Sequence, residues 1–155
     1  MLPPLTSEMK QASATQLRQT MRGHTEWVTG IAHLPGGRHI ITCSDDGSLR
    51  LWDLESGVQI GNDWRDGGKE GVWSIALAPN GKSVASGGRD GKVRLWDVET
   101  KKVVARWTGH TNTLRSLCWN VDGERLVSGS SDGTIRVWDV ETQHLVIVMH
   151  QFLHS

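Results

Sequence analysis

The chain has 155 residues, the length of one ordinary domain, and 37% of them are hydrophobic, enough to fill a core if the architecture closes around it. Its 17 Lys and Arg balance 17 Asp and Glu, so no long-range field recruits phosphate backbones or anionic membranes, and neither nucleic acid nor membrane is an expected partner. Eight Trp and 18 Gly beside one Phe and no Tyr make a composition that few mixed folds share.

Residues 1–16 contain Pro3 and Pro4 among Ser, Thr and Gln, with no continuous apolar stretch. They predict a flexible segment and argue against a secretory or membrane-spanning start. An outer strand is expected at 17–21, followed by Gly23-His24. The first unit then offers short runs rich in β-branched or large apolar residues at 27–34, 39–43, 48–53 and 58–61. Pro-Gly-Gly at 35–37, Asp-Gly at 46–47 and Glu-Ser-Gly at 55–57 punctuate them. After an irregular run at 63–71, the punctuation returns as Pro-Asn-Gly at 79–81, Asp-Gly at 90–91 and Glu-Thr at 99–100. It returns again at 121–123, 132–133 and 141–142, ahead of a last outer strand at 144–149 and a tail at 151–155. Asp-Gly and Asn-Gly permit the positive φ angles of tight hairpins, so each period reads as a four-stranded antiparallel meander.

The period itself is plain. Ser-Asp-Asp-Gly-Ser-Leu-Arg-Leu-Trp-Asp ends at Asp53, and close variants of it end at Asp97 and Asp139. Trp52, Trp96 and Trp138 stand 44 and 42 residues apart, within the range of roughly 40–45 expected of propeller blades. With Gly-His, the Asp-Gly turn and Trp-Asp in register, the stretch 17–150 resembles the WD-repeat family, in units at 17–53, 58–97 and 102–139. The resemblance implies an all-β, partial β-propeller of three four-stranded blades plus the N-terminal outer strand. It also implies a structural tetrad in each blade. That tetrad falls on His24, Thr42, Asp46 and Trp52 in the first unit and on His110, Ser128, Asp132 and Trp138 in the third. The second unit has Ser86, Asp90 and Trp96 but Gly67-Gly68 in place of Gly-His, so a looser loop is expected there.

Several residue sets invite a chemical reading and are better explained by the fold. His, Asp and a hydroxyl recur at the period of the repeat, whereas a catalytic triad occurs once per site, so no enzyme activity is expected. His144, His150 and His154, and His33 with His39, lack ligand spacing, so no metal site is expected. The run Gly67-Gly68-Lys69-Glu70-Gly71 lacks the Ser or Thr and the following helix of a phosphate loop, and no cofactor is expected. Arg50, Arg94 and Arg136, one per unit, read as strand residues whose stems pack along their neighbours. Trp64, Trp107 and Trp119 read as packing residues, with Trp64 the one that the irregular run could leave exposed. Cys43 and Cys118 lie in apolar runs far apart and are both expected to be buried free thiols. A reducing intracellular compartment, cytoplasmic or nuclear, is the matching expectation.

Function is then expected at a surface. Val28, Val72 and Leu114 read as the apolar anchors of the innermost strands, and alternation aims Trp27, Thr29, Trp73, Thr113 and Arg115 away from them. The resemblance adds the residue before each tetrad Asp, namely Asp45, Arg89 and Ser131. Trp73 and Arg115, with Arg89 next, are the leading anchors, because Trp and Arg most often dominate interface energy. The expected function is a non-catalytic scaffold or adaptor for other proteins or peptides. The alternatives are a truncated or degenerate propeller without independent activity and a substrate-presenting adaptor of a ubiquitin ligase. Such ligase adaptors often carry Arg two places after the Asp of Trp-Asp, where this chain has Glu55, Glu99 and Glu141. Three blades fall short of the four to eight of a closed ring, so self-association through the end blades is a further expectation.

Overall fold

The computed structural model describes Met1, Pro3, Pro4 and residues 19–151. The rest of the segment 1–16, together with Leu17, Arg18 and residues 152–155, lies outside the described residues. Three antiparallel sheets follow one another along the chain. The first contains β1 (Val28–His33), β2 (His39–Ser44) and β3 (Leu49–Asp53). The second contains β4 (Val72–Leu77), β5 (Ser83–Gly88), β6 (Val93–Asp97) and β7 (Val103–Trp107). The third contains β8 (Leu114–Trp119), β9 (Arg125–Ser130), β10 (Thr134–Asp139) and β11 (Leu145–His150). In each sheet sequence neighbours pair, as short hairpin turns require. The first strands β1, β4 and β8 lie side by side, so the sheets stack as successive blades. The chain is all-β among the described residues, three blades of an unclosed propeller.

The turn between the second and third strands shows why this sequence folds as it does. Gly47, Gly91 and Gly133 hold φ between 72° and 87°, a region open to glycine at no steric cost. The Asp before each glycine folds its carboxylate back onto the N–H two residues ahead, at 2.9 Å for Asp46, 3.0 Å for Asp90 and 2.8 Å for Asp132.

The core lies between blades, and the middle sheet buries both of its faces. Val84 and Ala85 are adjacent in β5 and both fully buried. Val84 joins Ile41, Leu49, Trp64 and Trp96 in the seam with the first blade, whereas Ala85 joins Val93, Trp107, Leu114 and Trp138 in the seam with the third. In each seam one Trp from the outer segment of a blade covers the Trp of the next blade's Trp-Asp. Trp64 lies 6.1 Å from Trp96, and Trp107 stacks 5.5 Å from Trp138. The irregular run therefore does not expose Trp64, which is only 2% accessible.

The structure departs from the sequence expectations in four places. The first blade has three strands rather than four. Its outer segment pairs its backbone with β3 only at isolated bridges, Gln59 to Trp52 and Trp64 to Leu49, so five residue steps there span three on β3 and no continuous ladder forms. Residues 19–21 form no strand; the side chain of Gln19 instead donates to the Glu55 carbonyl at 3.2 Å. Cys118 is exposed, because it points from the outer face of the third blade, while Cys43 is buried in the first seam. Burial pushes the Cys43 thiol up to about 11. Val28 is half exposed instead of anchoring a core, since it faces outward from the first blade, whereas Leu114 at the matching position is fully buried.

Candidate functional site

Beneath one end of the propeller lie the hydrogen-bond networks that fix the loops above them. In the first blade His24 Nδ1 lies 2.8 Å from Asp46 and Nε2 lies 2.7 Å from the Thr42 hydroxyl, which also accepts the Trp52 indole N–H at 2.8 Å. The third blade repeats this with His110, Asp132, Ser128 and Trp138 at 2.8 to 2.9 Å. Burial alone would raise the two carboxyls. Donors outweigh it and hold both well below the usual carboxylate range: the hydroxyl of Ser48 or Thr134, the His ring, and two backbone N–H groups in each case. The hydroxyls of Thr42 and Ser128 are buried, each held between an indole N–H and a His ring.

The second blade solves the same problem differently. Trp96 still donates to Ser86 at 2.8 Å, but with no His available Asp90 accepts from Arg94 at 2.7 Å. Arg94 also donates to Asp66 at 2.6 Å, and Arg106 from β7 donates to the same carboxylate at 2.8 Å. Arg106 first, and then Arg94, hold the Asp66 carboxyl far below its ordinary value. A cavity of about 30 Å³ remains, bordered by Ser86, Asp90 and Trp96, the tetrad members this blade does have. The loop expected to be loose is thus tied down by a carboxylate between two guanidinium groups. Sequence reading missed Asp66. Its only signal was an Asp two residues after a Trp, inside a run with no repeat counterpart.

Above these networks each blade opens with a β-bulge. Register shifts between Val28 and Gly30, between Val72 and Ser74, and between Leu114 and Ser116 leave Thr29, Trp73 and Arg115 without cross-strand partners. A bulge re-aims its extra side chain out of the ladder. Trp73 becomes the centre of a cluster, with its indole N–H donating to Asp45 at 3.2 Å. Arg89 grips the same carboxylate through two N–H groups at 2.8 and 3.0 Å and lies 5.5 Å from the Trp73 ring. From the next blade, Arg115 lies 5.0 Å from that ring and donates through Nε to Ser131 at 2.8 Å. Five of the eight nominated rim residues, Asp45, Trp73, Arg89, Arg115 and Ser131, therefore form one continuous patch across three blades.

Among the described residues no side-chain hydrogen bond joins the other three to this patch. The Thr29 hydroxyl turns inward and donates to the Val72 carbonyl at 2.6 Å, a tie between blades rather than an open rim contact. Trp27 is 75% exposed, and Thr113 contributes its carbonyl to Ser131 N–H at 2.9 Å. Gly88 also shapes the rim. A side chain on Gly88 would run into the Gly71 carbonyl and lie 2.8 Å from the Val72 Cα, both backbone atoms that cannot swing away. Gly88→Ala is expected to lower stability by about 1–3 kcal/mol in denaturant unfolding, by forcing β4 and β5 apart at the bulge.

The sequence pattern "WD domain, G-beta repeat" matches residues 15–53, 64–97 and 101–139, well over half of the chain. The chain belongs to the WD-repeat family. Among curated proteins, the nuclear distribution protein PAC1 of Yarrowia lipolytica is 49% identical over 37 residues, covering 24% of this chain and 8% of that protein. The nuclear distribution protein nudF of Aspergillus niger is 40% identical over 48 residues, or 31% and 11% of the two chains. PAC1 of Candida dubliniensis is 37% identical over 60 residues, or 39% and 12%. The matches thus span about a tenth of those relatives' length. Among solved structures, the WD40 repeats of RRP9 superpose with a TM-score of 0.78 and U3-55K with 0.79, each at 25% identity over 84% of this chain and 41% of the other. WD-repeat propellers generally serve as surfaces for assembling proteins. Among the described residues of this WD-repeat chain no group of three or more His, Cys, Asp or Glu could hold a metal ion, and no helix is long and apolar enough to cross a membrane.

Proposed function

We propose that this WD-repeat chain is a protein-binding module that holds a partner segment on the rim patch, with Trp73 and Arg115 as anchors and Arg89 as their support. The observation that carries this reading is the fixed posture of Trp73, whose indole N–H is held by Asp45 and whose ring is flanked by two guanidinium groups. A large aromatic surface held in place before binding loses little side-chain freedom on contact. Among the described residues Arg115 uses only its Nε for hydrogen bonding, which leaves its terminal nitrogens for a carboxylate or carbonyl of the partner.

Trp73→Ala and Arg115→Ala are each expected to weaken binding by about 2 kcal/mol or more, roughly thirtyfold in Kd. Both side chains project from a bulge rather than a core, so the melting temperature should move little. Affinity purification with mass spectrometry on the native chain and both variants, followed by titration of the recovered partner, makes the comparison. Identical partners and affinities for all three would overturn the reading.

A further inference from the structure

The two outer faces of the blade stack are the two halves of one interface that the chain builds twice internally. In the seam between the second and third blades, Leu114, Leu117 and Trp138 of the third rest on Ala76, Val93, Ala105 and Trp107 of the second. The repeat puts Val28, Ile31 and Trp52 of the first blade at the positions of Leu114, Leu117 and Trp138. It puts Cys118, Ile135, Ile147 and Met149 of the third blade at the positions of Ala76, Val93, Ala105 and Trp107. Val28 and Ile31 are 51% and 62% exposed, and Ile135, Ile147 and Met149 are 42% to 49% exposed, although their counterparts inside the stack are buried. One end carries the knobs of the repeated seam and the other end carries its bed.

From this we infer that two copies of the chain pair head to tail, the outer face of the third blade of each seating on the outer face of the first blade of the other, and close a six-bladed ring. The seam inside each copy continues across the junction, which is why the occupant is a second copy. Six blades fall within the four to eight that close radially, and a closed pair covers both apolar ends at once. On the first blade a groove of about 490 Å³ lined by Met21, Val28, Ile31, Ile40 and Trp52 is open to receive the other copy. Met149 of the second copy would cover Trp52 as Trp107 covers Trp138. Met21 stands three residues before His24, as Trp107 stands before His110, and so occupies the same place in the groove. Because residues 19–22 have no strand pairing while β11 is held along its length by β10, the β11 of the second copy displaces them.

Sedimentation equilibrium of the full chain from nanomolar to high micromolar concentration tests this, with a single species of twice 17.1 kDa expected at the upper end. Cys118 lies on the docking face, so its labelling by a thiol reagent should slow by about tenfold or more as the pair forms. Ile31→Lys and Ile135→Lys place a charge on one face each, at positions exposed in the single chain, so folding is spared. Each variant alone should be monomeric, and an equimolar mixture should recover a pair, because one seam in the mixture is unaltered. A monomer throughout, an open-ended series of larger species, or failure of the mixture to recover association would each overturn the closed head-to-tail pair. A monomer would leave these faces to a different chain.

Discussion

Trp96→Ala is expected to cost the fold about 3–5 kcal/mol, read as the shift in the denaturant midpoint at constant slope. Trp96 is 2% exposed at the centre of the seam between the first two blades, where its ring meets Trp64 and its indole N–H satisfies the buried Ser86 hydroxyl. Truncation removes one of the two largest side chains joining those blades, opens a cavity beside the space already bordered by Ser86 and Asp90, and strands a polar group. Trp96→Phe separates the two effects. It keeps most of the volume and loses only the N–H, so about 1–2 kcal/mol of the total should remain. A cost below about 1 kcal/mol for the alanine variant would mean that the blades do not depend on this seam.

Asp132→Ala should be of similar size, about 3–5 kcal/mol at neutral pH, because one carboxylate accepts from four donors: the Thr134 hydroxyl and N–H, the Thr111 N–H and the His110 ring. Its acid dependence gives a second reading. The folded-state carboxyl is held below its unfolded value of about 3.9, so the stabilisation is complete above that value and is lost as the pH falls through the folded one. Asp46 follows the same sign. The native chain should therefore hold its melting temperature from neutral down to about pH 5 and lose it steeply below. The Asp132→Ala variant should start lower and fall less, and equal slopes for the two would contradict the assignment. Asp90→Ala makes the internal comparison. Among the described residues Asp90 has only the Lys92 N–H and Arg94 as partners, and Arg94 keeps Asp66 when Asp90 is removed, so its loss should cost clearly less than that of Asp132.

The blades were legible because their punctuation is chemical. Asp-Gly forces a turn of one kind, and a Trp that recurs at a fixed distance from it must find a hydroxyl and a neighbouring blade. His24 and His110 were implied by the resemblance to WD repeats, through the Gly-His that precedes each of those two blades. What escaped it depends on pairing between distant segments. Nothing in the run 63–71 announces that Asp66 meets Arg94 and Arg106, because the two arginines lie 28 and 40 residues away. Alternation nominated Thr29, Trp73 and Arg115 alike, but only the register of β1 on β2 and the approach of β4 turn the Thr29 hydroxyl into the seam. Cys118 was misjudged for a related reason. Its surroundings in sequence are apolar, yet burial depends on whether a further blade lies against that face.

The bulge that opens each blade has a consequence for how recognition can change. A residue in a ladder answers to its partners across the sheet, and exchanging it risks the register of a whole strand. Trp73 and Arg115 answer to no such partner. Their side chains can be rewritten while the backbone beneath stays pinned by glycine turns and buried carboxylates. On the proposed rim surface, a new binding preference would need only one or two substitutions at the bulges, with the folding of the chain left almost untouched.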